Sequence, residues 1–181
     1  MVSIVQSSIA LLLLATAASV DVSNAANVRQ LRTESATATY KHPEEYVSIM
    51  LARVNKERAA KGLPKVCTNK KLQAAAQRHV KDQSTTDYIS DTGRDESTVG
   101  QRVTKAGYVW NTVAESIEAK YPNVNAVVNW WMENPAGCNK ILGKYTMVGT
   151  AYAFNSNSYY KHYWVQVYAT GSTEECDVGT S

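Results

Sequence analysis

The sequence predicts an α+β domain in which helices pack over a mainly antiparallel sheet. Three observations predict it. Several segments repeat their apolar residues at helical spacing, with stripes at i, i+3 and i+4. Two late segments, 146–154 and 159–169, are rich in Tyr, Val and Trp and are separated by Asn155-Ser156-Asn157-Ser158, a hairpin signal. The second of these is apolar or aromatic on both faces: Tyr160, His162, Trp164, Gln166 and Tyr168 on one, Tyr163, Val165 and Val167 on the other. A sheet with two such faces needs cover on both.

Taken in order, Pro43 suits the first residue of a helix, where a missing N–H costs nothing. Tyr46, Val47, Met50, Leu51 and Val54 form its buried stripe, and Gly62 and Pro64 end it. A second helix starts at Thr68 or Asn69, both good caps, with Leu72, Ala75, Ala76, His79 and Val80 as its stripe. His79 reads as a satisfied core histidine. A polar loop spans 91–97, and a short helix from Val99 to Ala106 stops at Gly107. Val124, Val127, Val128, Trp131 and Met132 make a further helical stripe that Pro135 closes. Trp130 and Trp131 point about 100° apart on such a helix, so one of them is expected at the surface.

The chain of 181 residues has the length of one domain. Its 19 Lys+Arg and 16 Asp+Glu give a net charge of +3, spread along the chain, so it lacks the clustered basic face of a nucleic-acid binder. Residues Ile9 to Ala18 form an apolar run too short to span a bilayer and followed by small residues. Residues 1–26 therefore read as a secretory signal peptide, with cleavage between 17 and 26. Residues 27–41 are polar and lack periodicity, a linker ahead of a domain at 42–171 and a tail at 172–181. In the linker, Arg29-Gln30-Leu31-Arg32 resembles the RxLR host-delivery motif of secreted effectors from oomycete plant pathogens. Of three cysteines, Cys67 and Cys176 bracket the domain and are expected to pair, leaving Cys138 over. Closing a loop of about 100 residues stabilises by about 4–5 kcal/mol in the chain-entropy account.

Five segments occur in an order that resembles the CAP superfamily of cysteine-rich secretory, venom-antigen and pathogenesis-related proteins. They are Asn55-Lys56-Glu57-Arg58, Leu72 to His79, Ala114-Glu115-Ser116-Ile117, Trp131 to Leu142 and Tyr163-Trp164-Val165-Gln166-Val167, and the resemblance covers about residues 45–169. It implies a three-layer α/β/α sandwich. It also implies a cleft with two His and two Glu, often holding a divalent metal. Here Asp91 stands where the family has its first His, and Glu115 is retained. Glu133 lies near the second Glu position, Gly137 and Cys138 replace a His-Arg pair, and His162 and Tyr163 fall where longer members carry a cleft His.

The resemblance thus implies a degenerate cleft of Asp91, Glu115, Glu133, His162 and Tyr163, with no catalytic residue, metal or cofactor. A divalent cation such as calcium or magnesium on clustered Asp91, Glu115 and Glu133 is the alternative. The expected protein is a secreted, monomeric effector that enters host cells and binds a plant host protein to suppress defence or cell death. One alternative is an extracellular sterol- or lipid-binding protein, with Trp110, Trp130, Trp131 and the Tyr-rich hairpin lining a groove. Another is a hydrolase that depends on Glu115 and neighbouring carboxylates.

Overall fold

The computed structural model describes residues 39–179. The expected signal peptide and the Arg29–Arg32 motif lie outside the described residues. A single 3-10 turn at Pro43–Glu45 leads into α1 (Val47–Ala59). There follow β1 (Cys67–Thr68), α2 (Lys70–Thr86), α3 (Val99–Lys105), β2 (Thr112–Ala119), α4 (Val124–Glu133), α5 (Pro135–Ile141), β3 (Met147–Phe154) and β4 (His162–Thr170). The strands form one sheet in the order β1-β3-β4-β2. β1 runs parallel to β3, while β3–β4 and β4–β2 are antiparallel, with Gln166 opposite both Thr150 and Ser116.

β4 separates two cores by its alternation. Tyr163, Val165, Val167 and Ala169 face α2 and α3, where they meet Leu72, Ala75, Ala76, Val80 and Val103. Trp164 and Tyr168 face α1, α4 and α5, where they meet Met50, Val54, Val127, Trp131 and Ile141. The result is the three-layer α/β/α sandwich. Tyr160 departs from the expected face: it precedes the strand and packs on the α2 side, against Tyr163 at 6.0 Å.

Small residues let α2 approach the sheet. At Gly149 an added Cβ would stand 2.1 Å from the Leu72 carbonyl carbon, so helix and strand touch backbone to backbone. Asn69 caps α2, its Oδ1 accepting from the amides of Lys71 at 2.9 Å and Leu72 at 3.2 Å. Thr98 and Gln101 form a capping box on α3.

Some elements differ from the sequence reading. Pro135 does not only close α4; it occupies the first turn of α5, after Asn134 turns extended and donates its amide to the Trp130 carbonyl. The segment around Glu115 is an edge strand whose inward side alternates weakly, and β1 is only two residues long. The hairpin connection runs to residue 161, where Lys161 takes φ 63°. Trp131 is buried and Trp130 is exposed. Cys67 and Cys176 are joined, and Cys138 is free and half-buried. Polar contacts hold the same tail down: Asp177 accepts from Thr68 Oγ1 at 3.0 Å and Glu174 from Lys71 Nζ at 2.8 Å.

Candidate functional site

The buried stripe of α2 turns polar towards its C-terminal end, at His79 and Gln83. α3 places Arg102 beside Val103, inside the sheet-facing side of the helix. β2 turns Glu115 to that same side, alongside Val113 and Ile117. These three elements, with the loop at 88–97, enclose a charged cluster in an otherwise apolar layer.

Arg102 organises it. One terminal nitrogen donates to the Ser97 carbonyl at 2.5 Å. The other donates to the Asp91 carbonyl at 3.0 Å and to Glu115 Oε1 at 2.6 Å. Both side chains of the ion pair are almost wholly buried, at 1% and 3% exposure. Taking the two charges out of water costs several kcal/mol per ion, which only good geometry and further hydrogen bonds offset. The loop carbonyls supply those bonds to Arg102.

His79 Nε2 lies 2.9 Å from the Ser90 carbonyl and 3.8 Å from Glu115 Oε1. The same ring nitrogen lies 3.0 Å from Gln83 Nε2, an amide donor, so its two contacts call for opposite roles at Nε2. Gln83 Nε2 donates to the same Ser90 carbonyl at 3.0 Å. Burial, helped by the positive Arg102, pushes His79 down to about 4, so the ring is neutral at pH 7. Burial pushes Glu115 up to about 7 against the pull of Arg102. Glu115 Oε2, Arg102 Nε, His79 Nδ1 and Gln83 Oε1 are buried with no hydrogen-bond partner among the described residues.

The expected cleft residues do not assemble. Glu115 sits at the centre of the cluster, but Asp91 is exposed and contributes its backbone carbonyl. Glu133 is exposed on α4, in the layer across the sheet. His162 also points to that far layer, where its Nδ1 meets Tyr152 Oη at 2.8 Å and its ring lies 5.0 Å from that of Phe154. Tyr163 shares the face of Glu115 but donates to Asp87 Oδ1 at 2.6 Å. Asp91, Glu115 and Glu133 are not brought together, and among the described residues no three His, Cys, Asp or Glu gather in a way that could hold a metal ion. The guanidinium beside Glu115 supplies the positive charge a cation would bring. The donor set does not fit the family's metal.

Arg102 and Gln83 belong to no sequence motif. Arg102 did leave a signal. Val99, Arg102, Val103 and Ala106 fall at i, i+3, i+4 and i+7, which puts a charge inside a buried stripe.

A family model described as "CAP: Cysteine-rich secretory protein family" matches residues 51–168. Among solved structures, an outer surface protein of Borrelia burgdorferi is similar, with TM-score 0.65 and 17% identity over 71% of this chain and 95% of its own. An extracellular protein containing an SCP domain from Bacillus anthracis has TM-score 0.62 and 17% identity, over 74% of this chain and 45% of its own. A cysteine-rich secretory protein from Staphylococcus aureus has TM-score 0.56 and 17% identity, over 74% of this chain and 41% of its own. At that identity the likeness speaks for the fold. No curated protein sequence matches the chain.

Proposed function

The chain belongs to the cysteine-rich secretory protein family, and from that premise we propose that it is a secreted effector whose domain binds a plant host protein to suppress defence or cell death. The observation that carries the binding role is the Arg102–Glu115 pair. The one carboxylate kept from the family's cleft is neutralised at 2.6 Å by a buried guanidinium. An acid or nucleophile held that way is a poor catalyst, because reaction would have to break the pair in a low-dielectric site. His162, the other inherited cleft group, is engaged by Tyr152 on the far side of the sheet.

Secretion is supported by the apolar N-terminal run and by the Cys67–Cys176 bridge, which suits an oxidising compartment. No helix among the described residues is long and apolar enough to cross a membrane. Entry into host cells rests on Arg29-Gln30-Leu31-Arg32. Expression of residues 27–181 inside plant leaf cells, followed by a cell-death elicitor, tests the reading. Suppressed death relative to an inert protein at equal accumulation supports it. Unchanged death removes the intracellular role.

A second reading, extracellular sterol or lipid binding, is favoured by one observation. A groove of about 680 Å³ runs beside the N-terminal turn of α1, walled by Pro43, Val47, Ala74 and Gln77. Saturable sterol binding by the purified protein, lost in Ala74→Trp, supports that reading.

A further inference from the structure

α1 buries Met50, Val54 and Arg58 against the rest of the domain. Its adjoining stripe, with Val47 and Leu51 half-buried and Ala52 and Lys56 exposed, forms one wall of a groove of about 550 Å³. The segment that carries Lys65 and Thr68 forms the other. Two contacts fix the width between them. Asn55 exchanges two hydrogen bonds with the Val66 backbone, both at 2.9 Å, and Arg58 donates to the Pro64 carbonyl at 2.8 Å. A groove already held open spares its ligand part of the ordering cost. It adjoins the groove of the sterol reading, with which it shares Val47 and Thr68.

The charge in this lining is of one sign. Lys56 and Lys65, both exposed, are its charged side chains and stand on opposite walls. The chain carries no Asp or Glu from 58 to 81. Carboxylates that approach from elsewhere are engaged. Glu57 pairs with Arg53, which also donates to Asn129 Oδ1 at 2.8 Å on the α4 side. Asp177 accepts from Thr68 Oγ1 at 3.0 Å and from the Lys70 amide at 3.1 Å. The complementary occupant is therefore acidic, with apolar groups for the floor. The exposed rings Trp110, Trp130, Phe154 and Tyr159 lie outside this lining, so it lacks the aromatic anchors of a bilayer-binding surface. Lysines on both walls of a concavity suit a chain that enters it better than a flat sheet of headgroups.

We propose that this groove binds a short acidic segment of the partner protein, with its apolar side chains on Leu51 and Ala52 and its carboxylates between Lys56 and Lys65. The inference rests on the host-binding reading for the source of the segment and names its chemistry. It also divides the labour in Asn55-Lys56-Glu57-Arg58: Asn55 and Arg58 hold the wall, and Lys56 meets the ligand.

The test is fluorescence anisotropy of the full secreted protein with a labelled peptide that alternates glutamate and leucine. Two control peptides replace glutamate by lysine, or leucine by serine. The acidic peptide should bind saturably and more weakly as salt is added, and the lysine peptide should not bind. The serine peptide should bind at least about tenfold more weakly, for lack of apolar burial. Lys56→Glu combined with Lys65→Glu changes two exposed side chains and should stay folded. It should weaken the acidic peptide by at least about tenfold and gain the lysine peptide. Ala52→Trp, from an exposed helix position, should fill the groove and weaken the acidic peptide by a similar factor. No binding of the acidic peptide, equal binding of the serine peptide, or unchanged affinity in the double variant overturns the proposal. So does lysine-dependent binding to phosphatidylcholine vesicles carrying phosphatidylserine when the peptide does not bind, which assigns the surface to a membrane. Peptide binding by a protein that fails to suppress cell death supports the groove and ends the host role. Suppressed death without peptide binding does the reverse.

Discussion

The two faces of the sheet are built by opposite means from the same strands. Towards α1, α4 and α5 the face is aromatic. Tyr46, Tyr152 and Trp164 pack edge to face and tilted, with the Tyr152 and Trp164 centroids 4.5 Å apart. Towards α2 and α3 the strands offer Gly149, Ala151 and Ala153, and the helix comes down onto the backbone. Among the described residues, it is that second face that buries an ion pair. There Arg102 finds its partners in loop carbonyls and in Glu115. Rings fill the aromatic face, where Tyr152 and His162 meet at 2.8 Å and the buried Arg58 of α1 donates to the carbonyls of Pro64, Ile141 and Gly143.

The strongest way to break this contrast is to put bulk where the second face has none. Gly149→Val should lose more than about 4 kcal/mol or fail to fold, since the neighbouring atoms are helix backbone and cannot step aside. Urea unfolding, or its absence at the outset, reads the effect. Next comes the charge. Arg102→Met should cost about 3–5 kcal/mol by stranding Glu115, and adding Glu115→Leu should recover most of that. If the double variant is as unstable as the single one, the pair is not what the layer depends on.

The two titrating groups of the cluster pull stability in opposite directions with pH. Folding raises Glu115 from 4.5 to about 7, so its contribution falls as pH rises between those values. Folding lowers His79 from 6.5 to about 4, so its contribution rises with pH across that window. Glu115→Gln removes the first and keeps the second. Its stability should climb by about 2 kcal/mol from pH 4 to 6.5 relative to wild type, as the Glu115 contribution is removed, measured by denaturation at each pH. A parallel profile in the two proteins would remove the Glu115 assignment. The smallest effect belongs to the aromatic face. Tyr152→Phe deletes the hydroxyl that meets His162 and should cost about 1 kcal/mol, with the ring packing retained.

The same contrast explains what the sequence disclosed. Apolar stripes at helical spacing revealed α1 to α4, and the Tyr/Val/Trp alternation of β3 and β4 announced both cores, because burial of large side chains leaves a periodic trace. β2 left little. It is an edge strand with Thr112 exposed, Glu115 and Ser116 buried and Glu118 half-buried, so its pattern resembles a polar loop. β1 is too short to have a period. Pro135 carried two meanings, stop and start, and only the extended backbone of Asn134 separates them. Glu115 was legible by resemblance. Arg102 left only its place in the Val99–Ala106 stripe, and a lone arginine on a seven-residue helix reads as solvated until the fold shows it inside. The grouping of Glu133 and His162 with Glu115 failed for a topological reason. α4 packs on one side of the sheet and β2 turns Glu115 to the other, and motif order along a chain carries no record of sides.

The central claim is that this domain acts by binding, with its remaining cleft carboxylate silenced by Arg102. The most direct measurement compares wild type and Glu115→Gln for suppression of elicited cell death in leaf cells, at matched accumulation and with folding confirmed by circular dichroism. The account predicts equal suppression. Loss of suppression in a folded Glu115→Gln protein would contradict it and make Glu115 a working catalytic group.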